Sequence, residues 1–247
     1  MRRTLLAAAL LACTGLVAAA PRTLAVVSLI GDKLELVAPQ METGSRFDRN
    51  RRAGLGDSSG AFDRYTLKAV AEAVGAIDLG IGVVLISVAP SALHERPEQL
   101  FEAAQLALPG GVVDELERVG AQHLLLITKH RDDVKVPFVS GTSGIGKVRG
   151  LGFYADPVLR VRMVESGDTA AGFLAPFAYF MLTLADARSG QVLRQQPVSL
   201  MDTLPLAQFP GATDPWNVID ARGKVERLQR LIRRGLRENL GGLLKGI

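Results

Sequence analysis

Short, dense apolar runs punctuated by Gly and Pro recur through most of this chain, and a single helical stripe closes it. The stretch TLAVVSLIGDKLELVAP (23–39) predicts a β-hairpin, two β-rich runs about a Gly31-Asp32 turn. Residues 40–60 lose periodicity and predict a mobile loop. Ser58 or Ser59 then caps a helix with Phe62, Tyr65, Ala69, Val70 and Ala73 on one face. GIGVVLISVAP (80–90) and QHLLLITKH (122–130) read as buried strands. Helices are expected between them, from Pro97 to Leu106 and over 112–120.

The second half changes character. VRGLGFYAD and VLRVRMV read as strands, and so does the greasy run that ends in MLTLAD. From Phe177, one face of that run carries Phe177, Tyr179, Met181 and Thr183, and the other Ala178, Phe180, Leu182 and Leu184. Apolar groups on both faces predict a central strand covered on both sides. Pro176 and the length of the run argue against a membrane-spanning helix. ARSG then turns the chain, and residues 191–200 return as the hairpin partner, with Pro197 marking an edge or a bulge. In the final helix Val225, Leu228, Ile232, Leu236, Leu240 and Leu243 form one stripe, with Asp214 as its cap and Pro215 as its first residue. Arg227, Arg230, Arg233, Arg234 and Arg237 gather opposite, a face suited to solvent or to an anionic lipid or acidic partner. The expected fold class is α/β: a mixed sheet with an N-terminal hairpin, helices packed on it, C-terminal antiparallel strands and a long amphipathic C-terminal helix. Residues 20–247 are expected to form one domain, with a Gly-rich loop over 138–152.

The start of the chain changes the picture of where it works. Arg2 and Arg3, an apolar core from Leu5 to Val17 and the small residues after it compose a secretory signal. Cleavage after Ala19 avoids Pro21 as the first mature residue and places the protein in the periplasm or outside. Cys13, the only cysteine, sits in LLAC, an approximate lipobox, but the residues after it are apolar. A mature chain from Ala20 has no cysteine, which excludes disulfides and thiol catalysis. Loss of two arginines lowers the formal charge from +4 to +2, too little for general nucleic-acid binding.

Candidate chemistry is sparse. GTSGIGK (141–147) fits the opening of a phosphate-binding loop, but Val148 stands where a Ser or Thr must hold magnesium, and the following residues read as strand. Nucleotide binding is therefore not expected. GDSSG (56–60) lacks hydrolase partners in the required order, since His94, His123 and His130 all follow Ser58 and none has an aspartate three residues before it. The densest polar cluster is Lys129, His130, Arg131, Asp132 and Asp133, at the carboxyl end of a buried strand, where α/β sheets commonly bind ligands. His130 and Asp132 would share a face there, but two ligands without a third make a poor metal site. No cofactor is implied. The expectation is a non-enzymatic binding or assembly module, with a hydrolase or metal-dependent enzyme near His130 and Asp132 as the alternative. An envelope protein partner, self-association or contact with anionic membrane are the partners it suggests.

LAVVSLIGDKLELV, GAQHLLLITKH, GLGFYAD and LAPFAYFMLTLADARSGQVL resemble segments of an uncharacterised family of exported bacterial proteins, over most of the mature chain. That family brings no known activity. More distantly, a helix, then HLLLITKH, then FMLTLADARSGQVL is similar to the curli-secretion subunit and the amino-terminal domain of TolB. The resemblance implies an α/β envelope module that binds partners, and it rests on element order and on the turn at Leu184, Asp186 and Gly190. It transfers no functional residue onto this chain.

Overall fold

The computed structural model describes residues 22–40, 50–57, 60–89, 92–138, 141–162 and 169–247. The signal-like segment and the proposed caps Ser58 and Ser59 lie outside the described residues. The first half holds β1 (Arg22–Leu29), β2 (Lys33–Ala38), β3 (Arg51–Asp57), α1 (Ala61–Ile77), β4 (Ile81–Ile86), α2 (Ala92–Glu95), β5 (Phe101–Glu102), β6 (Gln105–Leu106), α3 (Gly110–Arg118) and β7 (His123–Lys129). There follow β8 (Arg131–Asp133), β9 (Val136–Phe138), β10 (Gly141–Ser143), β11 (Lys147–Arg162), β12 (Thr169–Asp186), β13 (Val192–Met201), β14 (Leu204–Pro205) and α4 (Ala221–Leu243). Ten of these strands join one mixed sheet, so the expected α/β class holds.

β12 is its spine. Along one edge it pairs with β13 and β14, both antiparallel. Along the other lie two strands end to end, β7 against residues 180–186 and β11 against residues 169–179. The register runs straight through: Lys129 faces Phe180 and Gly150 faces Tyr179, so residues 130–149 leave and rejoin a single strand line. The next line repeats the arrangement. β1 runs parallel to β7, and β2 parallel to β11, joined by Ile30, Gly31 and Asp32.

The predicted hairpin over residues 23–39 is therefore incorrect, because β1 and β2 continue one another instead of pairing. β2 makes its hairpin with β3, which occupies the C-terminal part of the stretch expected to be a loop. An exposed edge strand needs no apolar alternation, and RRAGLGD shows none. Residues 97–106 form a 3-10 turn and the β5–β6 hairpin instead of a helix. β4 is an edge strand, hydrogen-bonded to β1 alone and only partly buried. The Gly-rich stretch expected as a loop over 138–152 contains β10 and the start of β11.

The two faces of β12 match the alternation. Ala178, Phe180, Leu182 and Leu184 are fully buried in the main core with α1 and with Leu228, Leu231, Ile232, Leu236 and Leu240 of α4. Closest approach falls at Gly235, where a Cβ would stand 2.7 Å from Val198 and 2.9 Å from Phe180. Phe177 and Tyr179 on the opposite face are covered by Val134, Val136 and Val148 of the 130–149 excursion. Farther along that face Ala185 joins Leu100, Leu106 and Leu116. α4 differs from its predicted form in two respects. Val225 is 40% exposed while Leu231 is buried, and Asp220 caps the helix by accepting from Gly223 N at 2.7 Å. Asp214 instead caps the short 3-10 turn Pro215–Asn217, so the helix starts six residues later than expected. α1 begins at Gly60, in the left-handed region at φ 65°. Among the described residues no helix is long and apolar enough to cross a membrane.

Candidate functional site

Where β1 passes into β2, the line carries more chain than its neighbours need. Leu29 faces Thr128 and Leu34 faces Leu151, which oppose Met181 and Ala178; five residues of chain thus span three positions of β12. The surplus forms a bulge, and a bulge strands backbone amides away from the ladder. Asp63 of α1 supplies what they lack. Its Oδ1 accepts from Ile30 N at 2.9 Å, Gly31 N at 3.1 Å and the Ser28 hydroxyl at 2.6 Å. Gly31 is required, since a Cβ there would lie 2.5 Å from Asp63 N. His94 of α2, wholly buried, places Nε2 3.3 Å from Asp63 Oδ2. Serine and histidine thus both bind the aspartate. In a hydrolytic triad the hydroxyl donates to the imidazole; the Ser28 hydroxyl donates to Asp63, and the carboxylate braces the bulge.

The last residue of the bulge, Asp32, pairs with Lys129 at the end of β7, 2.5 Å apart with side chains 7% and 10% exposed. Lys129 lies over Gly150, where a Cβ would meet its chain at 3.1 Å. It also lines a cleft of about 470 Å³, with Lys33, Leu34 and Glu35 of β2, Arg52 of β3 and Arg149 of β11. Glu95, Arg96 and Glu98, which follow β4, close the other side. The cleft therefore stands at the carboxyl ends of the parallel strands β1, β4 and β7, the usual ligand position in α/β sheets. Its carboxylates already have partners. Glu35 accepts from Arg52 at 3.0 Å, and Glu95 pairs with Lys33, whose ammonium holds that carboxyl below its usual range. Glu98 is farther from Arg149, at 3.6 Å, and that guanidinium donates to the Glu95 carbonyl at 2.6 Å. Five cations face three carboxylates in the lining, and Asp32 behind Lys129 is a fourth, leaving a formal excess of +1.

The predicted polar cluster is split by the strand exit. Lys129 turns to Asp32 and the cleft. His130 stays on the line, its amide donating to the Tyr179 carbonyl at 3.0 Å, and burial lowers its pKa against the opposing pull of Asp132. Asp132 turns toward β13, accepting from Lys135 at 2.7 Å and Ser199 at 3.1 Å. Chiefly through Lys135, its pKa falls to about 2. Arg131 is exposed, and Asp133 pairs with Lys147. Tyr179 donates to the Asp133 carbonyl at 3.1 Å, and burial raises its pKa to about 12. Among the described residues no three metal-ligating side chains converge.

Of the arginines of α4, Arg230, Arg233 and Arg237 are exposed and Arg227 and Arg234 half-buried. Arg233 stacks over Tyr65 at 5.7 Å, and Arg234 approaches Asp202 at 3.3 Å. Arg233 and Arg237 border a groove with Ala69, Ala73 and Ile77 of α1. Sequence reasoning missed Asp32, Asp63, His94, Arg52, Arg96 and Arg149. Only Asp63 left a local signal, a carboxylate within the apolar face of α1 beside Phe62, Thr66 and Val70.

No family model matches the chain, and no curated protein matches it. Three solved bacterial structures are similar in arrangement. A Xanthomonas campestris protein of the DUF330 family is 8% identical, with a TM-score of 0.39, over 90% of this chain and 83% of that one. A Helicobacter pylori structure described as a neuraminyllactose-binding hemagglutinin homolog is 6% identical, with a TM-score of 0.39, over 92% and 83%. A hypothetical Chlamydia trachomatis protein is 11% identical, with a TM-score of 0.30, over 89% and 100%. None of the three is a curli-secretion subunit or a TolB domain, and no site residue is carried over from them.

Proposed function

We propose that this chain is an exported cell-envelope protein that acts by binding, through the cleft at the carboxyl ends of β1, β4 and β7. The observation that carries this reading is the lining of that cleft. It contains ionic side chains from five separate segments, and no hydroxyl, thiol or imidazole among them. Such a set recognises charge. Export rests on the signal-like residues 1–19. Membrane contact through Arg230 and Arg237 would be secondary to the cleft.

Native mass spectrometry of protein purified from its own envelope tests both halves. The chain should begin at Ala20, and a bound mass should be present that Arg149→Glu loses. An intact Met1 or an acylated Cys13 overturns the export reading. A bound mass retained by Arg149→Glu overturns the cleft. Stoichiometric metal lost in His130→Ala would install the enzyme alternative.

A further inference from the structure

The cleft also indicates what kind of ligand it takes, and this inference rests on the binding function just proposed. We propose that its ligand presents a phosphate dianion. Three guanidinium groups, Arg52, Arg96 and Arg149, and two ammonium groups, Lys33 and Lys129, converge from β3, β11, β2, β7 and the segment after α2. A carboxylate has two oxygens, and a single arginine fork satisfies them. Phosphate has three terminal oxygens in a tetrahedral arrangement and takes donors from several directions at once. With Asp32 counted against Lys129, the cations still outnumber the carboxylates around the cleft, so an anion is attracted to it.

The internal carboxylates set the division of labour. Glu35 and Glu95 sit close on Arg52 and Lys33 and hold them in place. Asp32 does the same for Lys129, which is nine-tenths buried at the floor. A cation with so little water around it acts on an anion through a lower dielectric than a surface lysine would. Arg149 and Arg96 are differently placed. Arg149 faces Glu98 at 3.6 Å, beyond hydrogen-bond length, and Glu98 is itself 67% exposed. Arg96 is exposed at the rim. A phosphate entering the cleft therefore exchanges the long Glu98 contact for charge-assisted hydrogen bonds without breaking a close pair. The volume, about 470 Å³, suits a phosphorylated molecule of sugar or glycerol size and leaves Leu34, Ala53 and Gly54 to meet its uncharged part.

A phosphomonoester can come from a soluble metabolite or from a lipid headgroup. Calorimetric titration with glycerol 1-phosphate and flotation with phosphatidic acid vesicles separate the two sources. Saturable one-to-one binding of either probe is expected, weakening as salt rises. The Arg96→Ala/Arg149→Ala variant, its fold checked by circular dichroism melting, should bind at least about tenfold more weakly. Arg230→Ala/Arg237→Ala on α4 should bind glycerol 1-phosphate as wild type does. Equal binding by wild type and the cleft variant would overturn the site. If neither probe binds while native protein still carries a mass that Arg149→Glu loses, the phosphate assignment fails and the binding function stands. If succinate binds more tightly than glycerol 1-phosphate, the ligand is a dicarboxylate and the proposal is wrong.

Discussion

Two strand lines cross the middle of the sheet side by side, and they do it differently. β1 passes into β2 with a bulge at Ile30, Gly31 and Asp32, and its amides are taken up by a carboxylate on a distant helix. β7 passes into β11 by a long excursion off the strand line, which supplies its own pairing through β8 and β11 and its own apolar contacts on Phe177 and Tyr179. The first crossing is economical in chain and depends on one buried residue, Asp63. The second is long and spreads its support over Val134, Val136, Val148 and several surface ion pairs. Stability in the first should be concentrated and brittle, and in the second dispersed.

The comparison can be broken outright at β12, on which the β7–β11 line is aligned. Leu182→Asp would place an unpaired charge in the fully buried face of β12, between α1 and α4. The cost should reach several kcal/mol, and circular dichroism should show an unfolded or insoluble protein. An unchanged melting temperature would remove β12 from the core.

Asp63→Ala attacks the bulge alone. It strands Ser28 Oγ, Ile30 N and Gly31 N in the interior, and about 2–4 kcal/mol should be lost in urea unfolding. Gly31→Ala drives a Cβ into Asp63 N and should cost about 1–3 kcal/mol. A loss from Asp63→Ala no larger than that from Lys147→Ala, which cuts one exposed ion pair of the excursion, would erase the distinction between the crossings.

The smallest effect lies with Asp132. Its folded pKa, about 2, is below its ordinary value of 3.8. The contribution of the pair with Lys135 is therefore complete above pH 4 and disappears as pH falls from 4 toward 2. It should amount to about 1 kcal/mol after solvent screening, measured as the change in unfolding free energy that Asp132→Asn abolishes across that window.

Much of this fold was legible because burial leaves a period. The two apolar faces of β12, its hairpin with β13 and most of the α4 stripe follow from alternation that the core enforces. The β1–β2 crossing was not legible, because Gly31-Asp32 has the composition of a turn and periodicity does not name a strand's neighbour. Its local chemistry fits a hairpin; the parallel partners β7 and β11, far along the chain, decide otherwise. β3 was hidden because an exposed edge strand selects no apolar pattern. In the site, Lys129 could be chosen from its place at a strand end, but Arg52, Arg96 and Arg149 meet it only through the sheet register. No spacing along the sequence encodes that meeting.

The register at Lys129 and Gly150 has a consequence for how this protein can vary. Because these residues face consecutive positions of β12, residues 130–149 contribute nothing to the count that aligns the strands. Insertions or replacements between β8 and β11 do not alter that alignment, provided that Arg149 keeps its place in the cleft and something still shields Phe177 and Tyr179. Added or removed residues within Ile30–Asp32 have no such freedom, since each moves a hydrogen-bonded amide away from Asp63. The same sheet thus contains a segment open to grafting and, one strand over, a segment whose length is locked.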